Sequence, residues 1–197
     1  MKKCSLIILR KGIRGDEEMK IGLAIKKQAI HIKADNLKGS EKKWNGWGGK
    51  MDWYDFWLIS VTALREFFQE SGAYFFPWNL HPAAEIYFHW PGDTRGNATM
   101  HVYIYFLDTL RGVVKEGDEM GPPVFFRPSE IPYHEMMKGD QVFLPRLIAG
   151  ERFIANIFLD QKDENGLPVM EIIEPLDTIP WYIEVYIAVL ICWKKIF

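Results

Sequence analysis

Apolar positions fall in short runs rich in β-branched and aromatic residues: 5–10, 20–26, 84–90, 101–107, 124–126 and 152–159. Turn-forming stretches separate them, among them RGDEE, PGDTRGN, EGDEMGPP and KDENGLP. Runs of this kind between clusters of Gly, Pro, Asp and Asn read as strands. Residues 101–107 alternate weakly, whereas the neighbouring runs read as mostly buried, which implies a sheet covered on both faces. Two segments read as helices. Residues 58–71 end at Gly72, a common helix stop. Residues 140–149 start with Asp140 as N-cap, and the internal Pro145 makes this helix short or kinked. The preceding IPYHEMMKGD reads as an irregular connection or a single turn. Residues 33–43 read as a solvated, lysine-rich loop.

The order is strands, a central helix, more strands and a late helix. It predicts an α+β chain, an α/β/α sandwich. The run at residues 5–9 is too short for a secretion signal and is ended by Arg10, so it reads as the first strand. Residues 179–193 are almost entirely apolar, broken by Glu184, yet fall short of the ~20 residues that span a bilayer. They read as a buried strand or short helix. The expected organisation is one domain over residues 1–178, followed by an apolar tail over residues 179–197.

Composition narrows the function classes. The 197 residues are 48% hydrophobic and 25% charged, enough for a buried core without staples. A net charge of −2 gives no basic footprint for duplex nucleic acid. Cys4 and Cys192 stand at opposite ends of the chain and make neither a disulfide framework nor a zinc spacing. A reducing, cytoplasmic setting, no membrane partner and a monomer are the expectations.

Candidate chemistry lies in two fragments, WNGWGGK (residues 44–50) and REFFQESG (residues 65–72). On a helix, Glu66 and Glu70 share one face, and Arg65 and Gln69 form the adjacent pair. Two close carboxylates repel unless a cation lies between them, and oxygen ligands suit Mg²⁺ or Mn²⁺. Phe67 and Phe68 would anchor the helix on the sheet. The three glycines of WNGWGGK permit close backbone approach. Between the fragments lies DWYDFWLISVT, aromatic and apolar where an acidic helix start is expected.

GGK…REFFQESG resembles the Nudix hydrolase signature, G-x5-E-x7-R-E-U-x-E-E-x-G-U with U bulky and apolar. Arg65, Glu66, Phe67, Glu70 and Gly72 stand in matching places. LAIKKQ, WNGWGGK, EIYFHWPG, MHVYIYFLD, GDEMGPPVFF, IPYHEMMKGDQVFLP and ERFIANIFL follow in the order seen in the MutT-type oxidised purine nucleoside triphosphate diphosphatases. The likeness covers roughly residues 4–160. It implies a Nudix-type α/β/α sandwich with a mixed sheet, and Mg²⁺-dependent hydrolysis of (oxidised purine) nucleoside triphosphates to monophosphate and pyrophosphate.

The resemblance also assigns roles. Glu66, Glu70 and Glu119, with a backbone carbonyl near Gly48, would hold Mg²⁺, and Mn²⁺ is the alternative ion. Arg65 would orient a box carboxylate. Lys26 or Lys27 would meet the phosphates. Asn45 and Asp140 would read the purine, and Phe88, Trp90, Met137 and Phe143 would form an apolar slot for its ring. The departures are specific. Two extra residues separate the glycines from the helix. The first box carboxylate falls on Asp55 counted forward but on Trp57 counted backward. Gln69 replaces the first glutamate of the E-E pair, and Gly139 stands where the other of two adjacent base-reading aspartates would be. An amide is a poorer Mg²⁺ ligand than a carboxylate and cannot act as a base. A local frameshift between two intact flanks would account for the 52–62 run and for the apolar tail. Two other readings stay open: a weakened or inactive Nudix fold that binds nucleotide, and a hydrolase of another nucleoside diphosphate derivative.

Overall fold

The computed structural model describes residues 1–12, 18–27, 43–55, 58–90 and 98–176. The apolar tail, residues 179–197, and most of the lysine-rich loop lie outside the described residues. Among the described residues, eight strands form one mixed sheet: β1 (Lys2–Lys11), β2 (Lys20–Lys26), β3 (Lys43–Asn45), β4 (Leu80–His89), β5 (Met100–Leu107), β6 (Val124–Phe126), β7 (Phe153–Lys162) and β8 (Pro168–Pro175). The order is β3-β2-β1-β5-β4-β7-β8, and β6 also pairs with β2. β1–β5 and β4–β7 are parallel, and the other pairs are antiparallel.

Helices cover both faces, as the buried runs imply. Helix α1 (Ile59–Ser71) lays Ile59, Ala63 and Phe67 against Ile7, Leu9, Trp47 and Leu107. Helix α2 (Lys138–Ile148) lays Phe143, Leu144 and Leu147 on the opposite face, against Ile8, Ile86, Ile104 and Phe153. Each fully buried side chain of this size contributes ~1.5–3 kcal/mol, so the two clusters clamp the sheet between the helices.

Four details differ from the sequence reading. Phe67 is buried, but Phe68 is 55% exposed, because consecutive helical positions point about 100° apart and only one of them faces the sheet. α2 begins at Lys138, so Asp140 is its third residue and not its cap. β3 and β8 are additional strands. β3 is only three residues long, and β8 is a sheet edge that exposes most of its side chains.

The arrangement that makes a cleft is local. β1 and β2 pair only over Leu9–Lys11 and Lys20–Gly22. Beyond that they part, and the chain from Lys43 to Lys50 fills the opening. β3 pairs with Ala24–Lys26 of β2, while Trp47 and Lys50 bridge back to Ile7 and Cys4 of β1. Glycine is required here for close approach: a Cβ on Gly46 would strike the carbonyl of Ile7, and one on Gly48 the carbonyl of Ser5.

Candidate active site

Both fragments singled out in the sequence meet at this wedge. The Gly48 N–H donates to Glu70 Oε2 at 2.8 Å. The Glu66 carboxylate occupies the space that a Cβ on Gly49 would need. Two consecutive glycines thus receive two helix carboxylates one turn apart. Glu70 is 6% exposed. Burial pushes its pKa up to about 7, the Gly48 N–H and Lys26 oppose the rise, and the charges of Glu66 and Glu119 add to it.

Arg65 organises the outer side. Its Nε and Nη2 donate to Asp55 Oδ1 and Oδ2, both at 2.9 Å, and its Nη1 donates to Glu66 Oε1 at 2.8 Å and to Gln69 Oε1 at 3.1 Å. Asp55 is 1% exposed. It also accepts from the Asp52 amide at 2.9 Å and from Thr62 Oγ1 at 2.8 Å. Burial alone would raise the pKa of Asp55, but bonds from Arg65, the Asp52 amide and Thr62 outweigh it and hold the group below the usual carboxylate range. The Arg65 pKa is raised in turn, chiefly by its bonds to Asp55. Tyr54 lies under the guanidinium at 5.2 Å. Asp55, in a 3-10 turn over Trp53–Asp55, is therefore the carboxylate that Arg65 orients. Counting forward from Gly49 was the signal that could have identified it.

The remaining candidates on this side separate. Lys26 is close enough to influence Glu70. Lys27 instead pairs with Glu116 and donates to the Gly117 carbonyl, both at 2.7 Å. The Glu119 side chain is exposed, while its backbone carbonyl accepts from the Lys27 amide at 2.8 Å. Among the described residues, no three Asp, Glu, His or Cys side chains converge as a metal cage. Two carboxylates held against glycine backbone fit a divalent ion that takes its other ligands from water and from substrate phosphates, the usual habit of Mg²⁺.

The other end of the wedge is apolar. A narrow crevice, too tight to seat a water molecule, is lined by Leu6, Ile8, Leu23, Asn45, Met136 and Asp140 together with Phe143 and Leu144. Asp140 is 4% exposed and its Oδ2 has no hydrogen-bond partner. Burial raises its pKa to about 7. The Asn45 Oδ1 accepts from the Gly46 amide at 2.8 Å. Of the four slot residues, Phe143 lines the crevice. Phe88 is buried 6.1 Å from the Trp90 ring, and Met137 stands just outside the start of α2. Phe88 lies where a Cβ on Gly139 would fall, so a second aspartate at that position would have to displace it. Sequence reading missed the bond that closes this end, from Trp44 Nε1 to Glu135 Oε2 at 2.9 Å. No local signal links residues 91 apart.

The fold has counterparts among solved structures. A MutT protein from Bacillus halodurans superposes with a TM-score of 0.58 at 13% identity, covering 91% of this chain and all of the other. A NUDIX hydrolase from Nitrosomonas europaea gives 0.55 at 15% identity over 80% of this chain and 78% of its own. The NUDIX domain of Shewanella oneidensis NrtR, solved with ADP ribose, gives 0.52 at 12% identity over 75% and 86%. No family profile matches the chain. The fold is thus the Nudix α/β/α sandwich, the architecture of the MutT and Nudix hydrolases. Among the described residues, no helix is long and apolar enough to cross a membrane.

Proposed function

We propose that the chain is a Mg²⁺-dependent nucleoside triphosphate diphosphatase that takes purine nucleotides, oxidised ones among them, and acts in the cytoplasm as a monomer. The observation that carries this reading is the pairing of Glu70 with the Gly48 amide and of Glu66 with Gly49. It sets two carboxylates at one end of a wedge whose other end holds a buried carboxyl inside an apolar crevice. Glu66 and Glu70 would hold the ion, with Glu119 near enough to act on Glu70 through its charge. The bound ion would neutralise charge on the phosphates as it develops in the transition state. A water oxygen adds at phosphorus, the bond between the α- and β-phosphates breaks, and monophosphate and pyrophosphate leave. Arg65, engaged by Asp55, Glu66 and Gln69, would position Asp55 and Glu66 and would not touch substrate. Lys26 is the cation on hand for a phosphate oxygen. Asn45 and Asp140 would read the base edge, with Phe143 as the apolar wall.

A second reading, a nucleotide-binding module, is favoured by one specific observation: Gln69 stands in the carboxylate pair and is drawn toward Arg65. The NrtR domain, which holds ADP ribose in its structure, makes such a module a concrete alternative. Pyrophosphate release from a panel of normal and oxidised dNTPs with Mg²⁺ separates the two. Release supports the hydrolase. No release from any of them, with nucleotide still raising the melting temperature, supports the module.

A further inference from the structure

The crevice has no room for a water molecule, and the Oδ2 of Asp140, which lines it, has no partner. For a ligand to reach that oxygen, one wall has to move. The inner wall is Leu6 and Ile8 on β1, which pairs there with β5, and Leu23 on β2, which pairs there with β6. The outer wall is Met136, Asp140, Phe143 and Leu144, and it continues back through Tyr133–Glu135, a single 3-10 turn preceded by Pro132.

Trp44 and Glu135 join the two sides. Each is the chain neighbour of a lining residue, Trp44 of Asn45 and Glu135 of Met136. The indole Nε1 donates to Glu135 Oε2 at 2.9 Å, Trp44 and Met136 form a parallel bridge, and Trp44 meets Phe126 edge-on at 5.0 Å. At the far end of this wall, Gln141 Nε2 donates to the Met136 carbonyl at 3.0 Å, tying the segment to α2. Glu135 is exposed, so its bond to Trp44 competes with water and is one that thermal motion can break.

We propose that the Trp44–Glu135 bond is a latch. Its release lets residues 131–137 move away from β3, opening the crevice so that a planar base reaches Asp140. The purine occupant rests on the function proposed above, whereas the latch itself rests on the geometry of the wall. A closed crevice lowers apparent affinity by the fraction of molecules that are open, so loosening the latch accelerates binding. A bond that merely braced the fold would lower the melting temperature and leave the association rate unchanged.

The test uses the full chain with Trp44→Phe, Glu135→Ala, Glu135→Gln and the double variant Trp44→Phe/Glu135→Ala. Two readouts are taken: amide hydrogen exchange without ligand, and stopped-flow binding of 8-oxo-dGTP and dGTP in EDTA, which prevents turnover. Trp44→Phe and Glu135→Ala are expected to speed exchange over residues 131–137 and not in α1. They should raise the association rate about tenfold. The double variant should go no further than either single one, and Glu135→Gln, which keeps an acceptor, should behave as the parent. Unchanged exchange at 131–137 overturns the latch, and so does unchanged association in variants that bind. No binding of either nucleotide, to parent or variants, removes the nucleotide reading and overturns the latch as a gate to the crevice, whereas binding with unchanged association overturns the latch alone.

Discussion

The two ends of the wedge treat their carboxylates in opposite ways. At the glycine end, Asp55, Glu66 and Glu70 each accept a bond from a fixed donor: Arg65 for the first two and the Gly48 amide for the third. At the crevice end, Asp140 is as deeply buried as Asp55, yet its Oδ2 has no partner. Burial raises Asp140 to about 7, while Asp55 is held low by its bonds. Burial alone therefore does not decide a carboxyl's state; the donors around it do. On the proposed function, the glycine end would hold a cation and the crevice end would offer its unsatisfied group to the base.

Breaking the glycine end should have the largest effect. Glu70→Gln removes one of the two converging charges. Turnover with Mg²⁺ should fall by roughly a hundredfold or more, measured as pyrophosphate release. Melting temperature in the absence of metal should hold or rise, because a buried charge is lost. Asp55→Ala is next, and it acts on the fold. It strips Arg65 of its main partner and should cost about 3 kcal/mol in denaturant unfolding, the scale for breaking a buried ion pair. Because the Asp55 pKa is depressed in the fold, its stabilisation is present above about pH 4 and is lost as pH falls through the folded value. The Asp55→Ala penalty should therefore shrink in acid.

The crevice end has the opposite sign. Asp140 is raised from 3.8 to about 7, so stability is fully present below about pH 4 and is lost as pH rises toward 7. Asp140→Asn should flatten the metal-free stability profile over that window, leaving the shallower slope contributed by Glu70, and should be more stable than the parent at pH 8. Urea unfolding across pH reads both effects. A profile for Asp140→Asn that matches the parent at every pH would show that the carboxyl has a partner after all. The smallest effect is expected of Gln69→Glu. It restores a charge beside Glu66 and should raise turnover severalfold at limiting Mg²⁺ and less when Mg²⁺ saturates. No gain at limiting Mg²⁺ would mean that Gln69 already serves as well as a carboxylate.

Much of this contrast was legible in the sequence, and the physical reasons are specific. The buried runs in β1, β2, β4, β5 and β7 announce themselves because a strand covered on both faces is apolar throughout. Glu66 and Glu70 are placed on one side by helical spacing alone. β8 was not legible, since the edge strand PVMEIIEP keeps charge and proline where a central strand would not. Asp55 was ambiguous because counting from the two flanks disagrees by two residues. Counted from Gly49, Asp55 keeps the spacing of the signature, so the two extra residues fall between Asp55 and Arg65, and the 3-10 turn over Trp53–Asp55 still delivers the carboxylate to Arg65. The aromatic run between the fragments thus supplies Arg65 with two partners, Tyr54 and Asp55. Asp140 was visible as a candidate, but its lack of a partner depends on Leu6, Leu23 and Phe143 closing around it, three residues from three elements.

The division of labour between the two ends is tested most directly by kcat/KM for 8-oxo-dGTP and for dGTP in the parent and in Asp140→Asn, with Mg²⁺ saturating. A base-reading role predicts that the ratio of the two values changes by roughly tenfold or more, while cleavage of the less favoured nucleotide persists because the glycine end is untouched. An unchanged ratio, with both values lowered together, would contradict the account and make Asp140 a group that supports the fold and not the choice of base.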